Sequence, residues 1–296
     1  MGGALVAIGA VLLAAKGLFA KVLYGLGLTF HDVAAIRSVM AVPGFALLAW
    51  LHGRKGQPNW RITLDRSDIL LAVFAGVLCY YLGALANFYA LTIIDASIER
   101  PLLFAYPIFV VLINSAITGT LPSSRVTVAM LMTSIGVALV TGALSSTLSS
   151  AEWAGMAWVI FCSLSIAIYF LISGELTPRL GSGLFTLVAM TAAAVGLSGH
   201  YQWFFGWQNI VLSHTAWLTI VGLVVFSTVL PLFLVAEGVR RIGAARASLI
   251  STVGPPATAL MAYFVTGEVL GPTQWLGVLI VLVGVFFIES TAVRSS

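Results

Sequence analysis

Two apolar stretches of this chain carry aromatic and polar side chains along a single helical face. Within 68–92, Gly76, Cys79, Tyr80, Gly83 and Asn87 fall on about one face at 100° per residue. Within 152–173, Trp158, Phe161, Cys162, Ser165 and Tyr169 recur at the same spacing. A surface that met only lipid would need nothing but Leu, Ile and Val. Rings interleaved with a few hydrogen-bonding groups suit a cavity that binds an amphiphile. For Gly83 and Ser165, close helix packing explains the residue type better. For Tyr80, Asn87, Trp158 and Tyr169 the cavity reading is preferred. Trp158 lies two turns from the start of its segment and also fits an interfacial anchor.

The remaining chemistry is charge and proline. Lys16 stands in the middle of an apolar segment, where a charge costs roughly 2.5–3.5 kcal/mol or more on insertion scales. A cavity role follows: binding a substrate carboxylate, pairing with Asn87 or a tyrosine, or gating. Lys21 and Arg37 lie nearer a segment end, where their long stems can snorkel to the interface. Ser248, Ser251, Thr252 and Pro255 share one helical face, and Arg100, Leu103, Phe104 and Pro107 share another. Each proline frees a backbone carbonyl. Inside a membrane, only protein or cavity water can satisfy that carbonyl, so Pro107 and Pro255 are expected to face the interior. Ser251 and Thr252 then join the binding candidates. Glu99, Arg100, Pro107 and Pro255 are the gating candidates, although Glu99 and Arg100 differ in direction by about 100° and equally fit interfacial capping.

Catalytic chemistry is absent from this pattern. The sequence contains no Walker A motif and no HExxH. Cys79 and Cys162 belong to no metal-ligand or disulfide framework. Gly196-Leu197-Ser198-Gly199 mimics the serine motif of an intramembrane protease, but the histidines (His31, His52, His200, His214) all lie near segment ends. No enzyme activity, metal or cofactor is expected.

The elements that position these residues are membrane helices. Only 8% of the residues are charged, against roughly 25% for a soluble domain. Ten apolar spans are read: 4–26, 31–52, 68–92, 96–118, 124–143, 152–173, 183–204, 215–238, 244–266 and 272–290. Each is long enough to cross a hydrocarbon core of ~30 Å as a helix. No loop is long enough to fold by itself. Alternating the loops from a cytoplasmic N-terminus puts Arg54, Lys55, Arg61, Arg66, Arg125, Arg179, Arg240, Arg241, Arg246 and Arg294 on the cytoplasmic side. The predicted orientation is therefore N-in and C-in. This basic excess reports topology and implies no nucleic-acid partner. The first segment has no basic leader and carries Lys16, so it is read as a retained span.

A shift of 148 residues, half of 296, lays span 96–118 on 244–266 and span 124–143 on 272–290 without gaps. Identities include Ile94/Ile242, Ala96/Ala244, Pro107/Pro255, Leu112/Leu260, Thr118/Thr266, Gly119/Gly267, Leu131/Leu279, Gly136/Gly284 and Val137/Val285. Two five-span halves, 1–146 and 147–296, follow. Five is odd, so the second half enters the membrane inverted, and carriers built this way bind substrate near the midplane.

Two sets of residues carry a family resemblance. One is Pro255, Thr266-Gly267-Glu268, Gln274-Trp275-Leu276-Gly277 and Gly284; the other is Asn87-Phe88-Tyr89-Ala90-Leu91, Ala96-Ser97, Pro107, Thr118-Gly119 and Gly136. Over essentially its whole length the chain resembles the EamA-type transporters of the drug/metabolite transporter superfamily, and within it the YddG-type aromatic amino-acid exporters. The resemblance implies an all-α fold of ten helices in two inverted halves, with the cavity among helices 1, 3, 4, 6, 8 and 9 and with helices 5 and 10 as outer scaffold. The chain departs from the pattern in having Thr120 where the second half keeps Glu268, and Glu99-Arg100 where it has Ala247-Ser248. The expected function is export of neutral and aromatic amino acids, or similar small amphiphiles, by alternating access across a cell inner membrane. Two rival readings are a carrier of anionic or phosphorylated metabolites and an exporter of cationic drugs. The expected partners are a small-molecule substrate and the bilayer, with the chain a monomer or weak homodimer.

Overall fold

The computed structural model describes residues 2–56, 65–90, 93, 102–141, 150–210, 212–266 and 271–290. These residues form helices and connecting turns and contain no strand. The helices are α1 (Gly2–Ala14), α2 (Lys16–Gly25), α3 (Phe30–Gly56), α4 (Arg66–Gly76), α5 (Ala84–Ala90), α6 (Tyr106–Thr118) and α7 (Ser124–Thr141). They continue as α8 (Ser150–Leu180), α9 (Ser182–Phe204), α10 (His214–Val224), α11 (Leu230–Ile242), α12 (Ala244–Ile250), α13 (Gly254–Thr266) and α14 (Pro272–Ser290). Among the described residues six continuous helical runs are long and apolar enough to span a bilayer, and α6, α7 and α14 contain shorter apolar helices. This is the build of a polytopic membrane protein.

Several spans depart from their expected limits for physical reasons. The first is not one helix: it breaks at Ala15, whose N–H bonds back to Leu12 O at 3.2 Å. Ser227 Oγ donates to the same Leu12 carbonyl at 2.6 Å, and a side chain inserted into the ladder is a recognised cause of such a break. The span expected at 152–173 runs on to Leu180 as α8. Its thirty-one residues extend about 46 Å, more than a bilayer core is thick. The overhang carries the i,i+4 pair Glu175–Arg179, and Gly181, at φ +79°, ends it. The span expected at 244–266 is interrupted by a 3₁₀ turn, Ser251–Val253, next to Pro255. Of the span expected at 96–118, α6 forms the latter part, and Glu99 and Arg100 lie outside the described residues.

Two π-helical segments, Val77–Gly83 and Val225–Val229, interrupt the third and eighth spans. Their starts are 148 residues apart. Gly83 and Pro231 stand at matching positions near their ends, and both residue types loosen a helical ladder. Packing follows the same shift. α7 pairs with α14 and α3 with α9, while α1 packs on α11 and α4–α5 on α8. Gly136 and Gly284, matched in the sequence, both sit at the α7–α14 contact: a Cβ on Gly136 would lie 2.6 Å from Val281 Cγ2, and one on Gly284 3.1 Å from Thr133 Cγ2. The opposite face of α14, with Leu276, Leu279, Leu282, Val283 and Phe286, is exposed and suited to lipid.

The two ends of the bundle differ in charge. At one end Arg179 pairs with Asp68 at 3.2 Å, and Arg240 and Arg241 close on Glu237 at 2.6 and 2.7 Å. Gly2 packs against Arg241 and Ile242, so the N-terminus shares that end. At the other end Asp32 accepts from Thr29 N at 2.7 Å and Thr29 Oγ1 at 2.8 Å, and also from the Tyr201 hydroxyl. By the charge rule the arginine-rich end is the one expected to be cytoplasmic. With Cys79 and Cys162 replaced by alanine, Ser146→Cys should react with an impermeant thiol reagent from outside, and Gly56→Cys should not. Reversed labelling would overturn this orientation.

Candidate functional site

Lys16 opens α2 directly after the break at Ala15. Its side chain is exposed. Cys79 lies in the π segment Val77–Gly83, whose next residue, Tyr80, meets Tyr169 of α8 edge-on at 4.9 Å. Tyr169 is 4% exposed and leans on Phe185 at 5.4 Å. One turn further along α8, Ser173 Oγ is buried with no hydrogen-bond partner. Tyr80 and Tyr169 thus pair beside the buried Cys79 in a π segment, and Lys16 opens the helix that follows the break at Ala15. π segments and broken membrane helices both recur at binding sites because they leave backbone groups available.

The other sequence candidates fall into separate places. Gly83 abuts Ser165, its imagined Cβ 3.3 Å from Ser165 Cβ, and Ser165 Oγ donates to Phe161 O at 2.7 Å. That is the helix packing weighed for these two residues. Trp158 and Phe161 are 44% and 36% exposed and form an edge-on group with Tyr89, at 5.9 Å from Tyr89 to Trp158 and 6.4 Å from Trp158 to Phe161. Asn87 is half-buried on α5.

Pro107 and Pro255 are both buried. The carbonyl that Pro107 frees, Leu103 O, receives Ser163 Oγ at 3.1 Å. Ser251 Oγ donates to Ser248 O at 2.6 Å. Having one proton, it must accept from the Tyr106 hydroxyl, which lies within hydrogen-bond contact. Thr252 Oγ1 donates to Leu249 O at 2.6 Å. Ser251 and Thr252 therefore meet backbone or protein groups at the kink, and Tyr106 ties the two proline-bearing helices together.

Sequence reasoning passed over several polar groups that the fold engages. Ser163 and Ser227 satisfy carbonyls at breaks in other helices, and no local pattern marks them. Glu237 is 3% exposed and receives Arg240 Nε at 2.8 Å, Arg241 Nε at 2.7 Å and Ser182 Oγ at 2.7 Å. Its i,i+3 and i,i+4 spacing to Arg240 and Arg241 was the available signal. No histidine is hydrogen-bonded to Ser198 among the described residues, and no cluster of three or more metal-ligating side chains occurs there.

A model of the EamA-like transporter family matches residues 1–142 and 153–290. The chain belongs to the EamA-like transporter family. Among this EamA protein's relatives, an uncharacterized transporter, YcbK, of Bacillus subtilis (strain 168) is 31% identical over 289 residues, covering 95% of this chain and 89% of its own. An uncharacterized transporter of Archaeoglobus fulgidus is 25% identical over 289 residues, covering 96% of this chain and 94% of its own. A crystal structure described only as that of a protein superposes on 99% of this chain and 98% of its own, with a TM-score of 0.77 at 14% identity. That likeness concerns the fold alone. The EamA protein is accordingly a membrane transporter and not an enzyme.

Proposed function

We propose that this EamA protein exports neutral and aromatic amino acids, or similar small amphiphiles, across an inner membrane by alternating access. The observation that carries the reading is the edge-on Tyr80–Tyr169 pair beside the buried Cys79 of the π segment, with Lys16 at the helix-1 break as the cation of the same reading. A lysine in a membrane span faces a polar cavity in preference to lipid. An ammonium offers a carboxylate one partner, and an edge-on tyrosine pair offers an aromatic side chain another. The two halves, 1–146 and 147–296, are proposed to have opposite orientations and to exchange conformations. The matched π segments and packing pairs support this, as do the buried Pro107 and Pro255 beside their helix breaks. Gating by bending near these prolines extends the same reading, with Glu99 and Arg100 as further candidates.

Liposomes containing only this protein test it. Loaded with a panel of amino acids, the matching amines and a sugar phosphate, they should release bulky neutral amino acids faster than equally loaded liposomes without the protein. Lys16→Ala should slow amino-acid efflux roughly tenfold or more, as losing a charged hydrogen bond of ~1.5–3 kcal/mol implies. Efflux of the decarboxylated amines should fall less. Lys16→Arg should rescue only in part, because a guanidinium is larger and planar. Equal losses for acids and amines would assign Lys16 to structure or gating. Selective release of the sugar phosphate would replace the amino-acid reading by the anionic-metabolite one.

A further inference from the structure

Arg37 is carried on the first part of α3. It lies two turns into α3, about 10 Å along the helix from Phe30. It is half-buried and lines a cleft at the Asp32 end of the bundle, between α3, α5 and α9. His31, His200 and Tyr201 line the same cleft, with Leu85 and Leu197 as apolar wall.

No carboxylate among the described residues forms an ion pair with Arg37. Asp32, the acid nearest to it in sequence, is already bonded to Thr29 and Tyr201. A guanidinium inside a membrane span without a counter-charge is costly, and such residues mark ligand pathways. Its planar fork of five N–H groups matches the two oxygens of a carboxylate. In this conformation the cleft has about 10 Å³ open to a water-sized sphere. That is about the least volume that holds one water, so a carboxylate enters only when the walls of the cleft part.

We propose that the Arg37 cleft is a second, extracytoplasmic binding site for the carboxylate of a small amphiphile, with His31 and His200 as flanking ring donors. A lipid phosphate offers similar chemistry, and the test separates the two sources. The proposal deepens the transport reading by naming the group recognised. Its test measures binding without transport, so either can fail alone.

The full chain is placed in phosphatidylcholine nanodiscs and its thermal unfolding followed with 3-phenylpropionate, 3-phenylpropanol and 3-phenylpropylamine. The carboxylate should raise the midpoint saturably, and the alcohol and amine should not. Arg37→Gln should weaken the apparent carboxylate affinity roughly tenfold or more, and Arg37→Lys less, since charge survives and the fork does not. Equal responses to carboxylate and alcohol, or an unchanged affinity in Arg37→Gln, would overturn the proposal. If Arg37→Gln does not fold, Arg37→Lys and His200→Phe carry the comparison, and unchanged affinity in both overturns it. Arg37-dependent stabilisation by phosphatidylglycerol, with none from 3-phenylpropionate, would assign the cleft to a lipid headgroup and overturn the small-molecule site.

Discussion

Gly76→Leu is expected to prevent the bundle from assembling. A Cβ at position 76 would lie 1.9 Å from Ala189 O, 2.5 Å from its carbonyl carbon and 2.7 Å from its Cα. All three are backbone atoms, so no side-chain rotation relieves the clash. α4 and α9 would have to separate by roughly 1.5–2 Å to reach ordinary contact. That separation would open the layer in which Ala72, Ala75, Phe185 and Ala189 are fully buried. Overpacking usually costs ~1–3 kcal/mol, and a backbone-limited clash belongs at or beyond the upper end. In a membrane, close packing is a main source of helix association, so little else compensates. The check is the yield of monodisperse protein on size-exclusion chromatography, with Gly76→Ala as the smaller step. A leucine variant that elutes and melts like wild type would show that α4 and α9 do not approach this closely.

Glu237→Ala should produce the second large loss, at the arginine-rich end. Arg240 grips this carboxylate with two nitrogens, Nε at 2.8 Å and Nη2 at 2.6 Å, and Arg241 and Ser182 add one bond each. Alanine leaves two adjacent guanidinium groups without their shared counter-charge, and Ser182 without its acceptor. Breaking a buried ion pair in this way costs ~3–5 kcal/mol. The arginine side chains are 36% and 40% exposed, so water recovers part of that. The expected loss is about 2–3 kcal/mol, seen as a lower unfolding midpoint. Glu237→Gln should be intermediate, because the amide oxygen still accepts but the charge is gone. A midpoint unchanged in Glu237→Ala would mean that these bonds are not made in the membrane.

Much of the scaffold was legible because its causes are local. Hydropathy places a span whatever its neighbours are. Proline disrupts its own ladder, so Pro107 and Pro255 mark the interruptions just before α6 and α13 without knowledge of the rest of the fold. Gly136 and Gly284 stood out by their spacing, and their tight contact followed. The break at Ala15 was hidden, because its cause is a hydroxyl 215 residues away. The candidate site was half legible: periodicity found Tyr80 and Tyr169, but grouped them with Trp158 and Phe161, which the fold places elsewhere.

By itself the sequence determined an all-helical membrane protein, its polar-faced spans, the matched prolines and glycines, and membership of a transporter family. Only the tertiary structure decided which groups meet. Ser163 serves a carbonyl sixty residues away, and Ser182 a carboxylate fifty-five residues away. Arg37 turned out to line a cleft with His200 and Tyr201 of α9, a surrounding that its place in the chain does not reveal. Hydropathy and backbone disruption act within a few residues, whereas a buried polar group is satisfied by whatever the fold brings within about 3 Å of it.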